Sequence, residues 1–139
     1  IRGWTRIYYG GSGDEPLAGY YDGDALSDIG IFRPATGLWA IRGLTRVYYG
    51  KDIDRPISVD YTGDNRWDIA IFRESSGLWA IRGFSRVYFG GLDDSPVPGG
   101  YQGLLRDSIG IFRGNTGLWA LRGYSRVYYG SNGDVPVAR

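Results

Sequence analysis

DIGIFRPATGLWAIRGLTRVYYG, residues 28–50, holds three short runs of β-forming residues between turn residues. Asp28 to Arg33 is rich in β-branched and aromatic side chains and stops at Pro34-Ala35-Thr36-Gly37. Leu38 to Arg42 follows and stops at Gly43, and Thr45 to Tyr49 stops at Gly50. Such runs, bounded by Gly and Pro, predict strands. Pro56 to Tyr61 adds a fourth run, leading into a Thr-Gly-Asp turn at 62–64.

The stretch is copied along the chain. IRGWTRIYYG, IRGLTRVYYG, IRGFSRVYFG and LRGYSRVYYG begin at residues 1, 41, 81 and 121, a spacing of 40 with no insertion. IFR-xxx-GLWA recurs at 31–40, 71–80 and 111–120, and Asp14, Asp54, Asp94 and Asp134 each stand two residues before a proline. The 139 residues therefore make three full units plus 19 residues. Ile29, Ile31 and Phe32, like Leu38 to Ile41, put apolar groups on both faces of their strands. A strand apolar on both faces is covered on both, and a stack of small sheets meets that need. Four strands in about 40 residues is the size of one propeller blade. The expected fold is all-β, with β-propeller-type blades of four-stranded antiparallel sheet. A trefoil-like or solenoid array is the alternative. The blades fall at about 16–50, 56–90 and 96–130, with a partial blade at 1–15 and a partial strand at 136–139.

Composition removes whole classes of function. The chain has no Cys, His or Met, 24 Gly and a formal charge of +1. Without Cys there is no disulfide framework or thiolate chemistry, and without His the usual general base is missing. Near-neutral charge argues against nucleic acid, and no apolar run approaches the roughly 20 residues of a membrane helix. The lack of Met marks a mature piece or a fragment. Carboxylate pairs such as Asp22 and Asp24 exist, but no constellation breaks the repeat as one catalytic site should, so a non-enzyme is expected.

PISVDYTGDNRWDIAIFR, residues 56–73, with the IFR, GLWAIRG and RVYYG strings, resembles the VCBS/FG-GAP repeat family of integrin-α-type propellers. The family's Asp-rich loop implies calcium, which takes several oxygens at about 2.3–2.6 Å. In that register the second unit offers Asp60, Thr62, Asp64 and Asp68, with Asn65 at the turn glycine, and the first offers Asp22, Asp24 and Asp28. The first unit has Tyr20 and Ala25 at the first ligand and the turn glycine, and the third has Gly100, Gln102, Leu104, Leu105 and Ser108 in the loop positions, which cannot be a carboxylate site. The alternative is that these Asp residues cap backbone amides in ordinary turns. The resemblance further implies an extracellular, secreted or cell-surface setting and glycan or protein partners.

Eleven of fifteen Arg fall in three repeat columns, those of Arg2, Arg6 and Arg33. Their strict recurrence predicts a ladder of cation–π contacts and ion pairs between units. Columns that vary lie mostly in turns, where binding surfaces are built. Trp4, Phe84, Tyr124 and Trp67 are the candidates for stacking on a sugar or a protein partner, against local packing as the plainer role. The incomplete units at both ends predict self-association through exposed strand edges. The expected function is a non-catalytic binding module that self-associates; a purely structural, self-assembling repeat is the alternative.

Overall fold

The computed structural model describes residues 5–137. It is all-β, with three four-stranded antiparallel sheets, each in sequential strand order. The first contains β1 (Glu15–Gly19), β2 (Asp28–Arg33), β3 (Leu38–Ile41) and β4 (Thr45–Tyr48). The second contains β5 (Arg55–Pro56), β6 (Ala70–Arg73), β7 (Leu78–Ile81) and β8 (Ser85–Tyr88). The third contains β9 (Asp94–Pro96), β10 (Gly110–Arg113), β11 (Leu118–Leu121) and β12 (Ser125–Tyr128). The strand after the Asp-Pro pair is shorter than Pro56 to Tyr61 predicts. The shortening affects the second and third sheets and not the first, although Pro16 in β1 stands in the same column as Pro56 and Pro96. In the second sheet the pairing continues past β5 through Ile57 N–H to Ala70 O (2.9 Å) and Asp68 N–H to Val59 O (2.9 Å).

Each hairpin depends on a left-handed glycine. Gly37 has φ 70° and donates to Arg33 O at 2.8 Å. A Cβ there would collide with the Gly50 carbonyl oxygen, and the copies Gly77 and Gly117 meet Gly90 and Gly130 in the same way. The tight turn and the close backbone both require glycine.

Strand alternation gives each sheet two different apolar faces. Phe32, Trp39 and Val47 sit opposite one another across β2, β3 and β4, and Ile31, Ala40 and Arg46 make the next row. Side chains alternate along a strand, so these rows lie on opposite faces. The Phe32–Trp39 face of the first sheet packs on Ile71, Leu78 and Ala80 of the second. The Phe72–Trp79 face of the second packs on Ile111, Leu118 and Ala120 of the third. The same joint is thus made twice. Trp39, Trp79 and Trp119 each donate their indole N–H to a backbone carbonyl, that of Tyr49, Phe89 and Tyr129, at 2.9, 2.9 and 3.0 Å. That bond lets an amphipathic ring be buried without an orphaned donor.

One Arg column is structural. Arg33, Arg73 and Arg113 grip Asp14, Asp54 and Asp94 with paired bonds of 2.7–2.9 Å. These pairs tie the start of a sheet's first strand to the end of its second, so they lock a sheet internally and do not join units. The other columns depart from the predicted ladder. Arg42, Arg46, Arg82, Arg86, Arg122 and Arg126 are exposed and form no ion pair among the described residues.

The partial unit at the start also differs from expectation, because no strand forms over residues 5–14. Thr5–Tyr8 copies β4, whose hairpin partner is the Leu38–Ile41 column. The chain supplies only the last residue of that column, Ile1, outside the described residues. Gly10 nevertheless lies against Ile31 as Gly50 lies against Ile71, so the segment still covers the first sheet. Pro136 and Val137 form no strand, and 138–139 lie outside the described residues.

Candidate ligand clefts at the joints between sheets

The meander places the loop after the first strand of each sheet and the turn before its last strand at the same end. Loops 20–27, 60–67 and 100–107 therefore share one end with turns 42–44, 82–84 and 122–124. Neighbouring loops are tied by one repeated bond, Trp67 N–H to Tyr20 O at 2.8 Å and Asp107 N–H to Asp60 O at 2.7 Å.

At the first joint Trp67 lies on Gly19, where a Cβ would collide with the indole ring. It meets Tyr20 and Tyr21 edge-on, at centroid distances of 5.6 and 6.2 Å. Trp67 is a packing residue between the first two sheets. At the second joint the same columns hold Val59 and Asp107. The second joint holds a cleft of about 440 Å³, lined by Phe84, Gln102, Arg106, Asp107, Ser108 and Arg122 among others. Phe84 is 51% exposed at the turn between β7 and β8. Gln102 Nε2 donates to Ser108 Oγ at 3.1 Å. Asp107 Oδ2 accepts from Asp60 N–H at 3.1 Å, and its Oδ1 accepts no bond among the described residues.

Of the predicted ligand residues, then, Phe84 reaches the cleft. Tyr124 is exposed on the turn between β11 and β12, Trp67 is packed at the first joint, and Trp4 lies outside the described residues. The structure does not bring the four together. Arg106, Arg122, Gln102, Asp107 and Ser108 were not predicted. The available signal was the exchange of Trp67 for Asp107 within one column.

The predicted calcium residues are engaged with the backbone. Asp60 accepts from the N–H groups of Gly63 (2.6 Å), Asn65 (2.8 Å) and Asp64 (3.2 Å), and from Thr62 Oγ1 (3.4 Å). Asp68 accepts from Tyr61 and Thr62 N–H, and Asp28 from Tyr21 N–H. Asp22, Asp24 and Asp64 each accept from the amide two residues on. Among the described residues no three acidic groups converge as a metal cage would require. Asn65 and also Ala25 take the left-handed conformation of the turn glycine, with φ 66° and 64°.

Burial raises the pKa of Asp107, as does the charge of Asp60, while the Asp60 N–H pulls it back. Burial likewise raises Asp68, with the Tyr61 and Thr62 amides opposing. A carboxyl raised in the folded state contributes most below its unfolded value and loses that contribution as pH rises through the folded one. Asp14 has the opposite sign, because Arg33 lowers it, and its contribution is lost as pH falls. Asp107→Asn keeps the acceptor for Asp60 N–H and removes the charge. Its stability relative to the parent is expected to improve from about pH 4 upward. Urea midpoints from pH 3 to 7 measure this, and parallel curves would overturn it.

Compared with protein-family models, curated proteins and solved structures, the chain matches none.

Proposed function

We propose that the chain is a non-catalytic recognition module built of propeller-type blades, which takes a glycan in the cleft between its second and third sheets. The blade reading is supported by the joint made twice in the same sense. It is supported further by the column Pro16, Pro56, Pro96 and Pro136, all four copies of which line one cavity. The resemblance to adhesion propellers adds an extracellular setting.

The observation that carries the function is the break in the repeat at Asp107. One joint is sealed by an aromatic ring and the next is a cleft of ligand size, since small-molecule sites run from about 300 to 1,000 Å³. Its lining suits a sugar. The face of Phe84 takes the C–H side of a pyranose ring, while Asp107, Gln102 and Ser108 offer acceptors and donors to hydroxyls. Arg106 and Arg122 add forked donors.

An oligosaccharide array followed by calorimetry tests this reading. Phe84→Ala is expected to weaken the best ligand at least tenfold, about 1.4 kcal/mol. Asp107→Trp combined with Val59→Gly rebuilds the sealed joint and is expected to abolish binding. Binding unmoved by both variants would place the ligand elsewhere, and an array with no ligand would remove the glycan reading.

A second reading, self-association, is favoured by the third sheet. Val127 and Tyr129, whose copies are half-buried at the earlier joints, are 51% and 80% exposed. Another copy of the chain is the occupant of this face, since the face is already buried twice against this sequence's own repeat. A solution mass fixed at 15.4 kDa at every concentration would overturn it.

A further inference from the structure

On the side of the second sheet away from the glycan cleft, the first joint gathers positive charge. Ile71, Ala80 and Arg86 stand opposite one another across β6, β7 and β8, on the face turned toward the first sheet. With residues 49–51 of the connection after β4 they line a pocket of about 210 Å³. Ile71 and Ala80 are buried and make its apolar floor. Its charged residues are Lys51, Arg73 and Arg86 against one carboxylate, Asp54. Arg73 already occupies that carboxylate through Nε and Nη2, at 2.7 and 2.9 Å. Among the described residues Lys51 and Arg86 form no ion pair, and Arg73 Nη1 makes no hydrogen bond. Asp52 and Glu74 follow Lys51 and Arg73 in sequence but do not line the pocket, and Glu74 is engaged with Arg55 at 3.7 Å.

The repeat supplies the contrast. Lys51 is the single lysine of the chain, and its column holds Gly91 at the second joint, as that of Tyr49 holds Phe89. There Asp94, and more weakly Asp93 in the place of Ile53, raise the pKa of Arg113. The second joint thus sets Arg113 and Arg126 against Asp93 and Asp94, while the first sets three cations against one carboxylate. Like charges held over an apolar floor repel, and a small anion relieves that repulsion. We propose that this pocket binds an oxyanion with three terminal oxygens, the sulfate or phosphate ester group of a larger ligand. Three oxygens match three separate donors, Lys51, Arg86 and Arg73 Nη1, where a carboxylate offers two. The pocket is smaller than the roughly 300–1,000 Å³ of sites that enclose a whole ligand, so it takes the charged group and leaves the remainder outside.

Sodium sulfate and sodium phosphate are the first probes, each against sodium chloride at equal ionic strength, which removes general screening. Binding is read from the Gly50 and Lys51 amide resonances of the chain in nitrogen-15 spectra. Both oxyanions are expected to shift these resonances saturably. Lys51→Ala, followed at Gly50, and Arg86→Gln are each expected to weaken binding at least fivefold. Both side chains are exposed, and an unchanged melting temperature shows that the variants fold. Arg126→Gln, the copy of Arg86 in the third sheet, and Phe84→Ala in the glycan cleft are expected to leave binding intact. O-sulfated and O-phosphorylated glucose then separate the two sources, the tighter binder naming the ester. Shifts no larger than those with chloride, affinity unmoved in either pocket variant, or an equal loss in Arg126→Gln would each overturn the assignment.

Discussion

Trp79→Ala is expected to destabilise the chain by about 3–5 kcal/mol, the range for deleting a fully buried large aromatic side chain. Trp79 has no exposed surface. Its ring lies 5.1 Å from that of Phe72, centroid to centroid, and within the cluster that joins the second and third sheets. Truncation removes that packing and leaves the Phe89 carbonyl without its 2.9 Å donor. Small domains are stable by only about 5–15 kcal/mol, so this one change approaches the limit of folding. Trp119→Ala supplies the internal control. The same column in the third sheet is only half-buried, and the loss there is expected to be about half as large. Urea unfolding of both variants measures the difference. Equal losses would mean that Trp119 is covered in solution, which would itself favour self-association.

Arg73→Ala is the second large effect, at about 3 kcal/mol. The Asp54 side chain has no exposed surface, while that of Arg73 is 24% exposed. Their two bonds, of 2.7 and 2.9 Å, form the forked geometry that arginine shares with carboxylates. Removing the guanidinium leaves a buried carboxylate supported, among the described residues, only by the Lys51 N–H at 3.0 Å. Most of the cost is that stranded charge, so Asp54→Asn added to Arg73→Ala is expected to recover more than half of it. A double variant no better than the single one would show that the arginine acts through packing. Lysine at position 73 would not substitute, having one ammonium where two parallel donors are used.

Much of the fold is legible in the sequence because its causes are local. The three runs of DIGIFRPATGLWAIRGLTRVYYG lie within two residues of the strands that form, since β-branched and aromatic content and bounding glycines act within a few positions. The 40-residue spacing gives the repeat directly. The loss of a strand at Thr5–Tyr8 was not legible from that segment's own residues, which match β4 closely. A strand exists only when a partner supplies its hydrogen bonds, and among the described residues no copy of the Leu38–Ile41 column pairs with it.

The candidate sites divide along the same line. Phe84 could be picked out as an aromatic in a variable turn, and the capping role of Asp22, Asp24, Asp28, Asp60, Asp64 and Asp68 was foreseeable from short-range geometry. The cleft itself was not. It is lined by residues of the second and third sheets together, while at the first joint the ring of Trp67 lies on Gly19. Those are contacts between units, set by how one sheet lies on another. Sequence alone determined the period, the hairpin strands of each unit and their turns, because backbone preference and alternation are properties of neighbouring residues. The tertiary structure decided which Arg column is locked, which joint is sealed and where a cavity remains. Each of these depends on volumes and partners brought together from distant units of a repeat that is nearly, but not fully, the same.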